Sequence, residues 1–147
     1  MKPTLALSMI VRDAAADLPN CLASAQGVVD EIVVADTGSG DDSMAVARAC
    51  GARVIAIPWR DDFAAARNES LAACRSDWVL MLDADERLDP EAGPAVRGLM
   101  SATPDYLGYE ATIRNYVPSL GIHMYTQIAQ PNDGRLAEAQ PYPAYVE

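Results

Sequence analysis

Trp78-Val79-Leu80-Met81-Leu82-Asp83-Ala84-Asp85-Glu86 is the stretch from which the fold can be read. Its first five residues are apolar and β-prone, the length and composition of a strand covered on both faces, and the run ends abruptly in acid. Residues two apart in an extended segment project to the same side, so Asp83 and Asp85 can present both carboxylates to one cleft. Two like charges held close raise each other's pKa unless a cation neutralises them. A hard divalent ion, Mg2+ or Mn2+, relieves that repulsion and completes its shell with diphosphate oxygens and water. The competing reading is a solvated acidic loop whose Asp residues only cap the next helix. Placement at the carboxyl end of a buried strand favours the ion, because open parallel sheets bind ligands at that end.

Working back from this strand, β-rich runs alternate with helical patterns, the signature of βαβ units on a parallel sheet. A helix is expected over about 63–74, preceded by a strand at Arg53-Val54-Ile55-Ala56-Ile57. Gly51 ends an earlier helix that runs to Cys50, and Ser39 or Asp41 is placed to cap it. Before that helix, Thr37-Gly38-Ser39-Gly40-Asp41-Asp42 forms a turn after the strand Glu31-Ile32-Val33-Val34-Ala35-Asp36. A helix over about 18–25, with Asp17 as cap and Pro19 in its first turn, follows the first strand, Leu5 to Val11. The expected class is therefore α/β, a Rossmann-like, mostly parallel sheet flanked by helices.

Working forward, Asp89-Pro90-Glu91 opens another helix, and the alternation in Tyr109-Glu110-Ala111-Thr112-Ile113-Arg114 suggests a strand exposed on one side. After Pro118 the pattern dissolves among Pro131, Pro141 and Pro143, an irregular tail. The expected organisation is one α/β domain over 1–117 and an irregular tail over 118–147.

The 147 residues fit one domain, and half of them are apolar. A net charge of −10 argues against binding the phosphate backbone of nucleic acids, which needs Lys and Arg. No apolar run reaches the length of a membrane span, and the N-terminus lacks a signal-peptide cleavage site, so the expected compartment is the cytoplasm. Cys21, Cys50 and Cys74 show no metal-ligand spacing, and each is expected in a helix as a small hydrophobe. His123 has no partner at catalytic spacing and reads as a loop residue.

A second acid closes a strand at Asp36. It can accept hydrogen bonds from a base or ribose, or organise the following turn, and the two roles are compatible. Arg67, in Phe63-Ala64-Ala65-Ala66-Arg67-Asn68, can reach a diphosphate, where its fork geometry is favoured, or form a surface salt bridge. Trp59 and Phe63 are expected to pack the strand-to-helix junction.

Together these segments resemble the family 2 glycosyltransferases of GT-A fold, in particular the bacterial branch associated with lipopolysaccharide core synthesis and tetratricopeptide repeats. The likeness runs from about Leu5 to Tyr116. It rests on Ser8-Met9-Ile10-Val11-Arg12, on Val28 to Ser39, on Pro58-Trp59 with Asp61 to Asn68, and on Trp78 to Glu86, in that order. The resemblance implies that Asp36 binds uracil or another base, with Val11 and Arg12 lining that pocket. It also implies that Arg67 lies near the diphosphate, that Asp83 meets ribose or metal, and that Asp85 holds the metal. The implied partners are a nucleotide-diphosphate sugar, most simply a UDP-sugar, and an acceptor that is a glycan or lipid-linked.

Two departures stand out. Asp13-Ala14-Ala15 replaces the Asn-Glu-Glu usual after the first strand in this branch. Family members also extend further and place the acceptor-activating carboxylate on a later segment, which implies a C-terminal truncation. Glu86 is the nearest local carboxylate, and no residue here is assigned as the general base. A binding module without transfer is the alternative. A receiver-like phosphoryl acceptor fits poorly, since its acidic pair belongs beside the first strand and its Lys late in the chain, whereas here the only Lys is Lys2.

Overall fold

The computed structural model describes residues 1–101, 107–113, 115–117, 130–131 and 144–146. It divides into two compact units, Met1–Thr103 and Pro104–Glu147. The first contains β1 (Leu5–Val11), α1 (Leu18–Ala25), β2 (Glu31–Asp36), α2 (Ser43–Ala49), β3 (Arg53–Ala56), α3 (Phe63–Ala73), β4 (Trp78–Met81) and α4 (Ala92–Ser101).

The four strands form one parallel sheet in the order β3-β2-β1-β4. The chain steps from β1 through β2 to β3 on one side, then returns across the sheet to place β4 on the other side of β1. Right-handed crossovers then require α1 and α2 on one face and α3 on the opposite face. Core packing agrees. Leu7, Met9, Val11 and Val34 join Leu18, Cys21, Leu22, Ala25 and Ala47 of α1 and α2 in one cluster. Ala35 and Ile10 pack with Ala66 of α3 in another. On that second face the buried hydroxyls of Ser8 and Ser70 lie 2.7 Å apart. Small residues on α3, Ala66 and Ser70, thus meet the sheet closely with their polar atoms satisfied.

Carboxylates fasten the opposite, amino-terminal ends of the strands. Asp30 accepts from the Leu5 amide and pairs with Arg97 of α4 at 2.9 Å. Glu31 pairs with Arg53 at 2.7 Å and accepts from the Arg75 amide. Asp77 accepts from the Thr4 amide and hydroxyl. Arg97 beside Asp30, Arg53 beside Glu31 and the Thr4 amide beside Asp77 hold these carboxyls below their usual range. Depressed folded-state values mean that the unfolded chain binds more protons in acid. The stabilisation is therefore present above the ordinary carboxylate range and lost as pH falls through the lowered values. Melting followed by circular dichroism should give a midpoint that is flat from about pH 7 to 5 and drops below about pH 4. Glu31→Gln should lower the neutral-pH midpoint and shrink the acid-dependent drop.

Strands β1 and β2 and helix α1 match the expected bounds residue for residue, and the remaining elements of this unit differ by a residue or more at an end, where caps decide. The capping expectations fare less well. Asp17 occupies the cap of α1 but makes no side-chain bond there, and α2 is capped at Asp42, also without one. Asp41 does serve this helix, its Oδ1 accepting from the amide of Ser43, the first residue of α2, at 2.9 Å, whereas Ser39 Oγ accepts from the Asp13 amide. Asp62 does cap α3, accepting from the Ala65 amide at 3.0 Å. Cys21 is buried in α1, but Cys50 and Cys74 are cap residues, exposed and half-buried respectively.

The second unit holds β5 (Asn115–Val117), β6 (Gln130–Pro131) and β7 (Ala144–Val146), antiparallel in the order β5-β7-β6. The compact units divide at 103/104, the sequence reading places its boundary after 117, and β6 and β7 lie within the stretch expected to be irregular. Strands of two or three residues are too short to show a period, and Pro131 is tolerated because β6 is an edge strand. The strand expected over 109–114 is also displaced. Residues 107–113 are exposed and carry no strand, while pairing with β7 begins at Asn115. An alternating pattern becomes a strand only where a neighbour accepts its backbone hydrogen bonds. His123 lies outside the described residues.

Candidate functional site

Because the strands are parallel, Val11, Asp36 and the segment after Met81 emerge at one end of the sheet. β1 lies between β2 and β4, so the crevice where strand order reverses is flanked by these ends. The start of α3 comes to the same end, since it follows β3.

Asp36 is 2% exposed. Its Oδ1 accepts from the Gly38 and Ser39 amides, both at 2.9 Å, in a turn that Gly38 permits with φ of 105°. Its Oδ2 is buried and has no hydrogen-bond partner among the described residues. The turn fixes one oxygen and leaves the other as an unsatisfied acceptor, which is costly unless something else donates to it. Val11 stands opposite Asp36 in the ladder. Its side chain is core, 4% exposed, and its carbonyl accepts from the Thr37 amide and hydroxyl. Val11 thus supports the wall behind Asp36, while Arg12 is exposed.

The loops after β1 and β2 are joined by four bonds. The Asp13 amide donates to Ser39 Oγ, the Gly40 amide to Asp13 Oδ1, the Ala14 amide to Ser43 Oγ and the Ala15 amide to Asp41 Oδ2, at 2.6 to 3.0 Å. Asp13 adopts the left-handed conformation, φ 51°, which Asp tolerates better than most residues. Sequence reasoning treated Asp13-Ala14-Ala15 only as a departure. In the structure Asp13 ties the loop after β1 to the turn that follows Asp36, and nothing local in the sequence announces a partner 27 residues away.

Asp83 and Asp85 alternate with the half-buried Leu82 and Ala84, and both are exposed. The loop is held from two directions. Glu86 Oε2 accepts from the Asp83 amide at 2.8 Å, and Arg87 donates to the carbonyls of Ala84 and Glu86. Helix α1 anchors its base: Cys21 Sγ donates to the Asp83 carbonyl and Ser24 Oγ accepts from the Leu88 amide. Burial pushes the Cys21 thiol up to about 11, so it stays a neutral donor at ordinary pH. One oxygen of Glu86 thus shapes the loop.

Arg67 and Asp83 are brought into direct contact, Arg67 Nη2 on Asp83 Oδ1. Arg67 Nη1 is buried with no partner among the described residues. Trp59 and Phe63 stack edge to face, with centroids 4.8 Å apart. Trp59 packs on the core as expected, but Phe63 is 70% exposed. Among the described residues no three His, Cys, Asp or Glu side chains converge on a metal-sized point. Two exposed carboxylates beside one orphaned donor suit a cation that keeps water and phosphate ligands, rather than an all-protein cage.

Residues 8–137 match the family model for glycosyl transferase family 2. The chain belongs to that family. It is 48% identical over 105 residues to a TPR repeat-containing protein of Synechococcus elongatus, an alignment covering 71% of this chain and 26% of that protein. It is 32% identical over 104 residues to an uncharacterized glycosyltransferase of Rickettsia felis, covering 69% and 36%. Among solved structures, glucosyl-3-phosphoglycerate synthase from Mycobacterium tuberculosis, in complex with Mn2+, uridine diphosphate and glucosyl-3-phosphoglycerate, superposes with a TM-score of 0.56 at 28% identity. That match covers 69% of this chain and 41% of the synthase. The family 2 chain described here thus has the Rossmann-like GT-A fold and spans roughly a quarter to two fifths of the length of these three.

Proposed function

We propose that this family 2 chain is the donor-binding portion of an inverting glycosyltransferase that moves a sugar from a UDP-sugar to an acceptor hydroxyl with Mg2+ or Mn2+. The observation that carries the reading is Asp36 Oδ2, a buried acceptor without a partner among the described residues at the carboxyl end of β2. The imide N–H of uracil is a donor of the right kind for it, and Val11 and Arg12 would line the same pocket. The synthase's complex with Mn2+ and uridine diphosphate supports the choice of donor.

Asp83 and Asp85 would hold the cation, with Asp83 also within the range of roles that includes the ribose. When bound, the cation supplies positive charge that stabilises the departing diphosphate. Arg67 would offer Nη1, unpaired among the described residues, to a diphosphate oxygen. Glu86 and Arg87, with Cys21 and Ser24 behind them, keep the two carboxylates aimed. The acceptor, a glycan or a lipid-linked hydroxyl, would be deprotonated by a carboxylate outside the described site, since Glu86 is bonded to the Asp83 amide. That same engagement favours a second reading, a nucleotide-sugar-binding module that does not itself transfer. No helix among the described residues is long and apolar enough to cross a membrane. A cytoplasmic location is part of the proposal.

Titration calorimetry with UDP, with and without Mn2+, tests the donor site. Metal-enhanced binding is expected, and Asp85→Ala should bring the curve with Mn2+ down to the curve without it. A folded chain that binds no nucleoside diphosphate under either condition rules the reading out. Binding without release of sugar to any acceptor in the intact protein would select the module.

A further inference from the structure

Arg67 reaches Asp83 from α3, on the opposite side of the sheet from α1 and α2. Its Nη2 donates to Asp83 Oδ1, its side chain is 25% exposed and that of Asp83 is 53% exposed. The other nitrogen, Nη1, is buried without an acceptor among the described residues. Asp85 has no comparable ion pair among the described residues, so the two exposed carboxylates of this loop are not equivalent.

We propose that Arg67 and the divalent cation compete for the Asp83 carboxylate, and that a nucleoside diphosphate ends the competition by drawing the guanidinium onto its phosphate oxygens. The proposal rests on the donor-site reading above. A metal ion alone meets one available carboxylate, because displacing Arg67 from Asp83 leaves a half-buried side chain with neither terminal nitrogen paired among the described residues. A diphosphate removes that penalty. It offers adjacent oxygens to a planar fork whose Nη1 has no acceptor among the described residues, the geometry in which Arg outperforms Lys. Asp83 is then released to the cation while Arg67 gains a stronger partner. The site therefore selects the metal–nucleotide pair over the free metal ion, and Arg67 is the positioning residue that enforces the choice.

The signature is a pair of opposed shifts on one substitution. In the full chain, Arg67→Gln should bind Mn2+ alone about five- to tenfold more tightly than wild type, counted from the electron paramagnetic resonance signal of free Mn2+. The same variant should bind UDP at saturating Mn2+ at least fivefold more weakly by calorimetry. A residue that only contacts diphosphate would leave the first number unchanged, and a residue that only supports the fold would weaken both; either result overturns the exchange. A nearby positive charge acting through space would raise Mn2+ affinity equally in an Asp83→Asn background, whereas loss of a direct competitor gives no gain there. An equal gain overturns the proposal. Should Arg67→Gln fail to fold, Arg67→Lys replaces it, with smaller shifts in the same two directions, and their absence counts against the exchange. If the wild-type chain binds no UDP with metal, it is the donor-site reading that fails; if it does and the shifts are absent, only this inference falls.

Discussion

Asp36→Asn should weaken UDP binding about 10- to 100-fold while leaving the circular dichroism spectrum unchanged, because only one of its two oxygens is structural. Oδ1 serves the turn, accepting from Gly38 and Ser39. Asparagine keeps that acceptor and is as much at home in such a turn as aspartate. Oδ2, without a partner among the described residues, becomes an amide nitrogen that donates instead of accepting. An imide N–H brought against it meets another donor. The loss is one hydrogen bond to a charged group, about 1.5–3 kcal/mol, which corresponds to the stated range. Calorimetry with UDP reads it directly. Equal affinity in the variant would show that no base donates to this carboxylate. A fall accompanied by a lower melting temperature would show that the turn, and not the ligand contact, had been damaged.

This split between two oxygens marks where sequence reasoning ends. That Asp36 closes a strand and precedes a Gly-containing turn is visible along the chain, as are both candidate roles for it. Which oxygen does which is fixed by backbone amides in a folded loop. The same holds for the Asp83–Glu86 segment. Its placement after an apolar run is a local pattern, but its anchoring on Cys21 and Ser24 joins residues more than 60 positions apart. Parallel crossovers bring distant segments together, and no period or spacing encodes such pairs. Arg67 is the sharper example. A salt bridge to an acid and a place beside the diphosphate were separate expectations, and the structure puts Arg67 on one of the metal-candidate carboxylates themselves. The fold was legible because β1, β2 and their helices are repeated local patterns. The second unit was not, since strands of two or three residues take their existence from partners rather than from composition.

Leu18→Ala should cost about 2–5 kcal/mol in urea unfolding, the range for emptying a fully buried leucine site. Leu18 is 0% exposed and opens α1, where it belongs to the cluster that joins Leu7, Met9 and Val11 of β1 to Cys21, Leu22 and Ala25. A domain of this size has about 5–15 kcal/mol in total, so the variant would lose a large share of its stability. The exposed Leu99, on α4, provides the control, with an expected change within about 0.5 kcal/mol on substitution by alanine. The consequence reaches the site, because α1 carries Cys21 and Ser24, which hold the Asp83 carbonyl and the Leu88 amide. In chains that remain folded, a loosened α1 should therefore also reduce metal-enhanced UDP binding, whereas Leu99→Ala should not. A full stability loss with donor binding intact would mean that Glu86 and Arg87 hold the acidic loop without help from the helix. A loss below about 1 kcal/mol would mean that α1 repacks around the vacated volume, and that the first face of the sheet is more plastic than its burial implies.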